Sequence, residues 1–293
     1  MIRPVLTALF GLVLLAGCSA EPTRPEATDS EAVTAIVSHY PVEFLVDRIG
    51  GDLVDVQTLT APGAEPHDLE LSPQQVGDVQ DADMVFYLSG FQPALDDAVG
   101  QAQGTVVDLT EGLPLRTSTN GETTNDPHVW LDPVLMGQMA TTVADTLAAA
   151  DPQHQQTFQA NAEQLQADLA ALDEQWQKGT KQCAVRTLVV SHEAFGYLAD
   201  RYGFVQKGIS GLTPETEPSA QALADLAEFV RDNGVTTVYT ETLVSPAVAE
   251  TVAAEAGAQT ATLDPLEGPP AAGDYISAMQ ENLAVVEQGQ SCS

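Results

Sequence analysis

Apolar residues follow two rhythms along this chain. From Ala32 onward, short apolar or β-branched runs alternate with segments whose apolar residues recur every three to four positions. The short runs predict strands at Val33–Ser38, Val54–Leu59, Met84–Leu88 and Thr105–Leu109. The segments between them predict helices at Pro41–Ile49, from Ser72-Pro73 to Gln80, and at Pro93–Gln101. Each begins with a proline in its first turn, where the missing N–H has no intrahelical partner to lose. Glu111–Asp126 is polar and carries Gly, Pro and Asn, which predicts a loop. Asp132-Pro133 then caps a helix running to Ala150, and Asp151-Pro152 opens another. In that second helix Phe158, Ala162, Leu165, Leu169, Leu172 and Trp176 recur at alternating spacings of four and three. They form one apolar stripe over about 25 residues, or roughly 38 Å. A coiled-coil seam would need more heptads and a charged opposite face, so the stripe predicts a packed spanning helix. Strands resume at Thr187–Ser191, Phe204–Ile209, Val235–Thr240 and Thr260–Leu263. Their helices fall at Ala194–Tyr202, Ser219–Asn233, Pro246–Ala256 and Gly273–Glu287. No internal repeat is evident.

Short apolar strands separated by helices imply parallel sheets covered on both faces. The predicted fold is therefore α/β: two lobes with parallel-stranded sheets flanked by helices, joined by one long helix. The boundaries read as an N-terminal lobe at 31–150, a linking helix at 151–180 and a C-terminal lobe at 181–293.

The N-terminus follows neither rhythm. Arg3 is a minimal positive start, and Val5–Leu15 is an apolar run too short for a spanning helix, which needs about 20 residues. Residues 1–17 thus read as a secretory signal. The following Leu15-Ala16-Gly17-Cys18 resembles the bacterial lipobox, which implies a lipidated Cys18 at the mature N-terminus and durable attachment to a membrane. Residues 18–30, rich in Pro and charge, read as a tether.

Composition narrows the partners. With 42 Asp+Glu against 10 Lys+Arg, the formal charge is −32, while 44% hydrophobic residues mark a chain that folds. Such a surface excludes nucleic acid, whose binding requires Lys and Arg to displace counterions. It also excludes a basic lipid-binding patch and leaves cations as the natural small partners. Of the three cysteines, Cys183 and Cys292 remain once Cys18 is assigned to lipid. An even pair in an exported chain reads as a disulfide worth about 4–5 kcal/mol in the chain-entropy model. Metal ligation by these cysteines is the rival, weakened because neither lies near a histidine in sequence.

Three of the five histidines occupy one kind of position. His67 follows the second strand in Glu65-Pro66-His67-Asp68, His128 sits in Asp126-Pro127-His128-Val129-Trp130, and His192 directly follows Thr187–Ser191. Open α/β sheets bind ligands in the crevice beyond their strand ends, so these loops are placed to converge between the lobes. A preceding proline stiffens the backbone beside His67 and His128. Imidazole suits Zn, Cu, Fe and Ni, whereas all-oxygen sites suit Mg, Ca and Mn, and three imidazoles with one carboxylate fit a tetrahedral Zn²⁺ site. No HExxH or zinc-finger spacing occurs. His39 follows the first strand and approaches the same cleft, whereas His154 reads as solvated.

Four segments carry a specific resemblance: Ala61–Pro73 (APGAEPHDLELSP), Asn125–Pro133 (NDPHVWLDP), Val189–Gly203 (VVSHEAFGYLADRYG) and Gly211–Ser219 (GLTPETEPS). They resemble the zinc-binding lipoprotein receptors of bacterial ABC metal importers, the cluster A-I or TroA-like family. The resemblance implies two α/β lobes joined by a rigid helix, with metal buried between them and His67, His128 and His192 as its ligands. It points to Glu267 as the fourth, ahead of Asp264, with Glu65 or water as the remaining alternatives. Manganese-carrying relatives usually place a carboxylate where this chain has His192, and imidazole there favours Zn²⁺. Many zinc relatives have a His-rich stretch in the loop matching Glu111–Asp126, and this chain has none.

The expectation is a monomeric, non-enzymatic receptor tethered to the outer face of the cytoplasmic membrane, delivering Zn²⁺ to an ABC permease. A manganese carrier of the same family and a zinc-dependent surface adhesin are the alternatives. A zinc hydrolase would need an open metal position and a general base, with Glu193 or Glu65 as candidates, yet no hydrolase motif appears.

Overall fold

A computed structural model of the chain describes residues 33–118, 124–215 and 218–293. The predicted signal, Cys18 and the tether lie outside the described residues. Two four-stranded parallel sheets organise the chain. The first contains β1 (Val33–Val37), β2 (Val54–Thr58), β3 (Met84–Tyr87) and β4 (Thr105–Asp108), in the order β2-β1-β3-β4. Between these strands run α1 (Tyr40–Gly50), α2 (Pro73–Asp81) and α3 (Pro93–Val99). Ser72 caps α2 by accepting from the Gln75 N–H while the Gln75 side chain takes the Ser72 N–H in return, a reciprocal box.

The loop predicted at Glu111–Asp126 holds a two-residue antiparallel pairing, β5 (Thr117–Ser118) with β6 (Thr124–Asn125). Then come α4 (Pro133–Ala150), capped by the Asp132 carboxylate on the N–H groups of Val134 and Leu135, and α5 (Gln155–Gly179). The latter begins later than Asp151-Pro152 predicts. The Asp151 carboxylate instead takes the Gln153 N–H and the His154 ring and closes a turn, leaving His154 at the helix boundary. All six residues of the predicted stripe on α5 are buried, and the helix packs on α1, α4 and α9 (Tyr275–Gly289).

The second sheet contains β7 (Thr187–Val190), β8 (Val205–Gly208), β9 (Thr237–Thr240) and β10 (Gln259–Thr262), in the order β10-β9-β7-β8. Its helices are α6 (Gly196–Tyr202), α7 (Ala220–Asp232), α8 (Ala247–Ala256) and α9. In each sheet the second strand flanks the first, and the third and fourth lie on its other side. The two lobes thus repeat one topology, although no repeat was evident in the sequence. The cause is that a strand covered on both faces needs only apolar side chains, which many unrelated sequences supply.

One core cluster runs through both lobes, from Val37, Leu45 and Phe86 across Trp130, Phe158, Leu165 and Trp176 to Leu188, Tyr239 and Tyr275. Smaller clusters cover the outer face of each sheet. Because the main cluster crosses α5, the two sheets are held on a shared apolar spine, and the described residues form one compact unit. Cys183 and Cys292 are disulfide-bonded, tying the end of the chain to the segment entering β7. Among the described residues no helix is long and apolar enough to cross a membrane.

Candidate metal centre

The first three ligand candidates arrive on short turns beyond strand ends. Pro66–Asp68 form a single 3-10 turn after β2, in which the Glu65 carboxylate accepts the His67 N–H at 3.2 Å and fixes the turn. His128 precedes another 3-10 turn, Val129–Leu131. One oxygen of Asp126 takes both its backbone N–H at 3.0 Å and its Nδ1 at 2.8 Å. His192 sits one residue past Ser191 at the end of β7, with Glu241, just beyond β9, holding its N–H at 2.9 Å and its Nδ1 at 2.7 Å. β7 and β9 are the neighbours between which the strand order reverses, and ligand crevices open at such switch points.

Glu267 follows a turn whose geometry is held from several sides. Leu266 has φ 57°, the left-handed region, which costs a side chain with a Cβ about 1–2 kcal/mol. The Asp264 carboxylate accepts the Leu266 N–H at 2.8 Å and the Thr242 hydroxyl at 3.1 Å. Asn282 clasps the backbone N–H and C=O of Asp264 at 3.0 and 2.7 Å. The Trp130 indole N–H donates to the Pro265 carbonyl at 2.7 Å.

These elements bring His67, His128, His192 and Glu267 together with one ligand atom from each within 4.8 Å of the others. Nε2 of His128 lies 3.3 Å from Nε2 of His67 and 3.3 Å from Nε2 of His192. Glu267 Oε1 lies 3.3, 3.4 and 3.1 Å from Nε2 of His67, His128 and His192. The edge of a regular tetrahedron is about 1.63 times its centre-to-corner distance. Zinc bonds of about 2.0–2.1 Å therefore call for donors about 3.3–3.4 Å apart. Five of the six edges meet that requirement to within a few tenths of an ångström.

The protonation pattern points the same way. With their Nδ1 atoms committed to carboxylates, His128 and His192 when neutral turn Nε2 lone pairs inward, and among the described residues neither oxygen of buried Glu267 has a hydrogen-bond partner. Inward lone pairs around a buried carboxylate require a cation. Without a metal, protons supply part of it. Burial opposes the charge on His192, yet Glu241 and Glu267 together carry its pKa up to about 10. For His128 burial is likewise outweighed by Asp126 and Glu267, raising its pKa. Burial lowers that of His67 against the pull of Glu267. Burial of Glu267 is overcome by the three imidazoles, which hold its carboxyl well below the usual range.

Other candidates fall elsewhere. Asp264 is occupied as the turn former just described, and Glu65 as the cap of the His67 turn, where burial and the charge of Glu267 raise its pKa to about 7. His39 does not reach the cluster. It precedes α1 with Nδ1 2.8 Å from Ser38 Oγ, its ring against Phe91 and Trp130, and its Nε2 buried without a partner among the described residues. His154 is partly exposed and pairs with Asp151. The sequence reading missed Asp126 and Glu241. Asp126 stands two residues before a ligand candidate, and Glu241 follows the strand beside that of His192, a position only the strand order makes meaningful.

The fold and site define a class: two parallel-sheet α/β lobes with a three-imidazole, one-carboxylate cluster suited to a metal ion in the cleft between them. Residues 36–289 match the family model of the periplasmic zinc-uptake complex component A, ZnuA. The high-affinity zinc uptake system protein ZnuA of Bacillus subtilis is 31% identical over 301 residues, covering 95% of this chain and 94% of that protein. The zinc-binding lipoprotein AdcA of Streptococcus pneumoniae is 33% identical over 305 residues, covering 97% of this chain but 60% of that longer protein. Among solved structures, the laminin-binding protein Lmb of Streptococcus agalactiae, described as bifunctional with adhesin and metal-transporting activity, superposes with a TM-score of 0.82. It is 33% identical, covering 88% of this chain and 100% of that one. The chain belongs to the ZnuA family of periplasmic zinc-uptake components, whose members are solute-binding proteins and not enzymes.

Proposed function

We propose that this protein captures Zn²⁺ outside the cytoplasmic membrane through His67, His128, His192 and Glu267 and delivers it to an ABC-type metal permease. The observation that carries this reading is the near-tetrahedral spacing of three Nε2 atoms and Glu267 Oε1. Within the same reading, residues 1–17 are a signal, Cys18 is lipidated and residues 18–30 are the tether. The N-lobe is 31–150, the linking helix 151–180 and the C-lobe 181–293, and the protein works as a monomer. The AdcA relative, described as a lipoprotein, supports the anchor. The apolar spine through α5 favours small lobe or loop movements over a wide hinge during release.

The direct test is metal content with competitive Zn²⁺/Mn²⁺ titration of residues 31–293, beside His192→Ala and Glu267→Ala. One tightly held zinc, preferred over manganese and weakened by both substitutions, supports the site; a titration indifferent to His192 refutes it. For delivery, a deletion strain should lose zinc uptake and recover growth with excess zinc. A second role as adhesin is favoured by the likeness to Lmb, and binding of the zinc-loaded protein to immobilised laminin checks it.

A further inference from the structure

The turn before Glu267 is held in a left-handed conformation at Leu266. Asp264 and Asn282 hold that turn from within the C-terminal lobe. Trp130 holds it from the other side of the cleft. This residue lies two positions after His128, and its indole N–H donates to the carbonyl of Pro265, two positions before Glu267. Its ring is fully buried, packed at 5.2 Å against the His128 ring and at 5.2 Å against Phe91, which in turn contacts His67 at 4.6 Å. Its own carbonyl accepts the hydroxyl of Tyr275, at the start of α9, so both its donor and its acceptor are spent on the C-terminal lobe. One side chain thus touches the histidine shelf of the N-terminal lobe and the turn that aims the carboxylate.

We propose that Trp130 is a positioning residue for zinc: its N–H fixes the Pro265-Leu266-Glu267 turn against the His128 segment and so sets the distance between the carboxylate and the imidazoles. The proposal rests on the four-ligand zinc reading above. Removing the N–H leaves the buried Pro265 carbonyl without its donor and frees the strained turn to relax, withdrawing Glu267 from the Nε2 atoms. An indole acting only as core filler would lack this coupling to Glu267.

The test is a double-mutant cycle by competitive Zn²⁺ titration, comparing the unmodified protein with Trp130→Phe, Glu267→Gln and the pair together. Outer partners that orient ligands are typically worth about 10–100-fold in metal affinity, so Trp130→Phe should weaken zinc binding about tenfold or more. In the Glu267→Gln background the same change should cost little, because the group it positions is already gone. In parallel, 3-benzothienylalanine at position 130, with sulfur in place of the N–H, keeps the ring's shape and preserves the fold should the phenylalanine variant prove unstable. The same non-additive loss with that residue supports the proposal. Unchanged affinity on loss of the N–H, or an equal loss with and without Glu267, overturns it while leaving the zinc site standing. A Glu267→Gln protein that binds zinc as tightly as the unmodified one defeats both, since the turn would then position nothing.

Discussion

Each lobe ends its first strand with the same tripeptide, Val37-Ser38-His39 in one and Val190-Ser191-His192 in the other. The two histidines occupy equivalent places in equivalent sheets, yet their chemistry diverges. His192 has Glu241 on Nδ1 and Glu267 before Nε2, and its pKa rises to about 10. His39 has a serine hydroxyl on Nδ1 and aromatic rings on its flanks. Burial, only partly opposed by Glu267, drives its pKa down to about 3. What separates a zinc ligand candidate from a buried filler is therefore not the histidine or its strand end. For this pair it is what the neighbouring strand delivers: β9 brings Glu241 to His192, and β3 leads instead to the segment carrying Phe91.

Substitutions sharpen this contrast in order of effect. His192→Ala should lower zinc affinity by at least about a hundredfold, beyond the range typical of an outer partner, whereas a loss no larger than that of His39→Phe would erase the distinction. Glu241→Gln keeps the shape of the partner but removes its charge. An affinity loss of about 10–100-fold is expected, together with a fall in the His192 pKa that NMR titration of the metal-free protein would detect. Unchanged values would mean that Glu241 is a bystander.

The pH dependence has a definite sign. At neutral pH the metal-free site holds His192 protonated, and zinc requires its neutral form, so binding should release a proton and tighten about tenfold per pH unit between roughly pH 7 and 10. Calorimetry in buffers of different ionisation enthalpy counts that proton, and a count of zero sinks the idea. Folding stability of the metal-free protein should respond oppositely. The folded state binds more protons at His192 than the unfolded chain between about pH 6.5 and 10, so this contribution is present below that window and lost as pH rises through it.

His39→Phe should have the smallest effect on zinc, within about twofold. Its signature is in acid. The pKa of about 3 lies below the ordinary 6.5, so the unfolded chain binds the extra proton in between, and stability falls as pH falls through that window. The cost is roughly 2 kcal/mol by pH 5, and the phenylalanine variant should lose that slope in denaturant unfolding across pH. An unchanged slope would show that His39 ionises freely.

Much of this was legible in the linear chain. The alternation of short apolar runs with amphipathic segments gave both sheets and nearly every helix, because a strand buried on both faces and a helix buried on one stripe have different periods. The stripe from Phe158 to Trp176 announced α5 for the same reason. Pro66, Pro127 and the strand end before His192 marked the three imidazoles as loop residues beyond sheet edges. Glu267 was harder, since its turn depends on Asp264, Asn282 and a tryptophan far away in sequence. The false start at Asp151-Pro152 arose from local side-chain hydrogen bonds that compete with helix initiation.

By itself the sequence determined the α/β class, the long helix and the placing of three histidines beyond strand ends, all of which follow from local periodicity and turn chemistry. Only the tertiary structure decided that Glu267 rather than Asp264 or Glu65 completes the cluster, that Glu241 and Asp126 orient two of its imidazoles, and that His39 stays out of it. Those outcomes depend on which strand ends lie side by side, and spatial adjacency between distant segments is set by packing of the whole core rather than by any short stretch of chain.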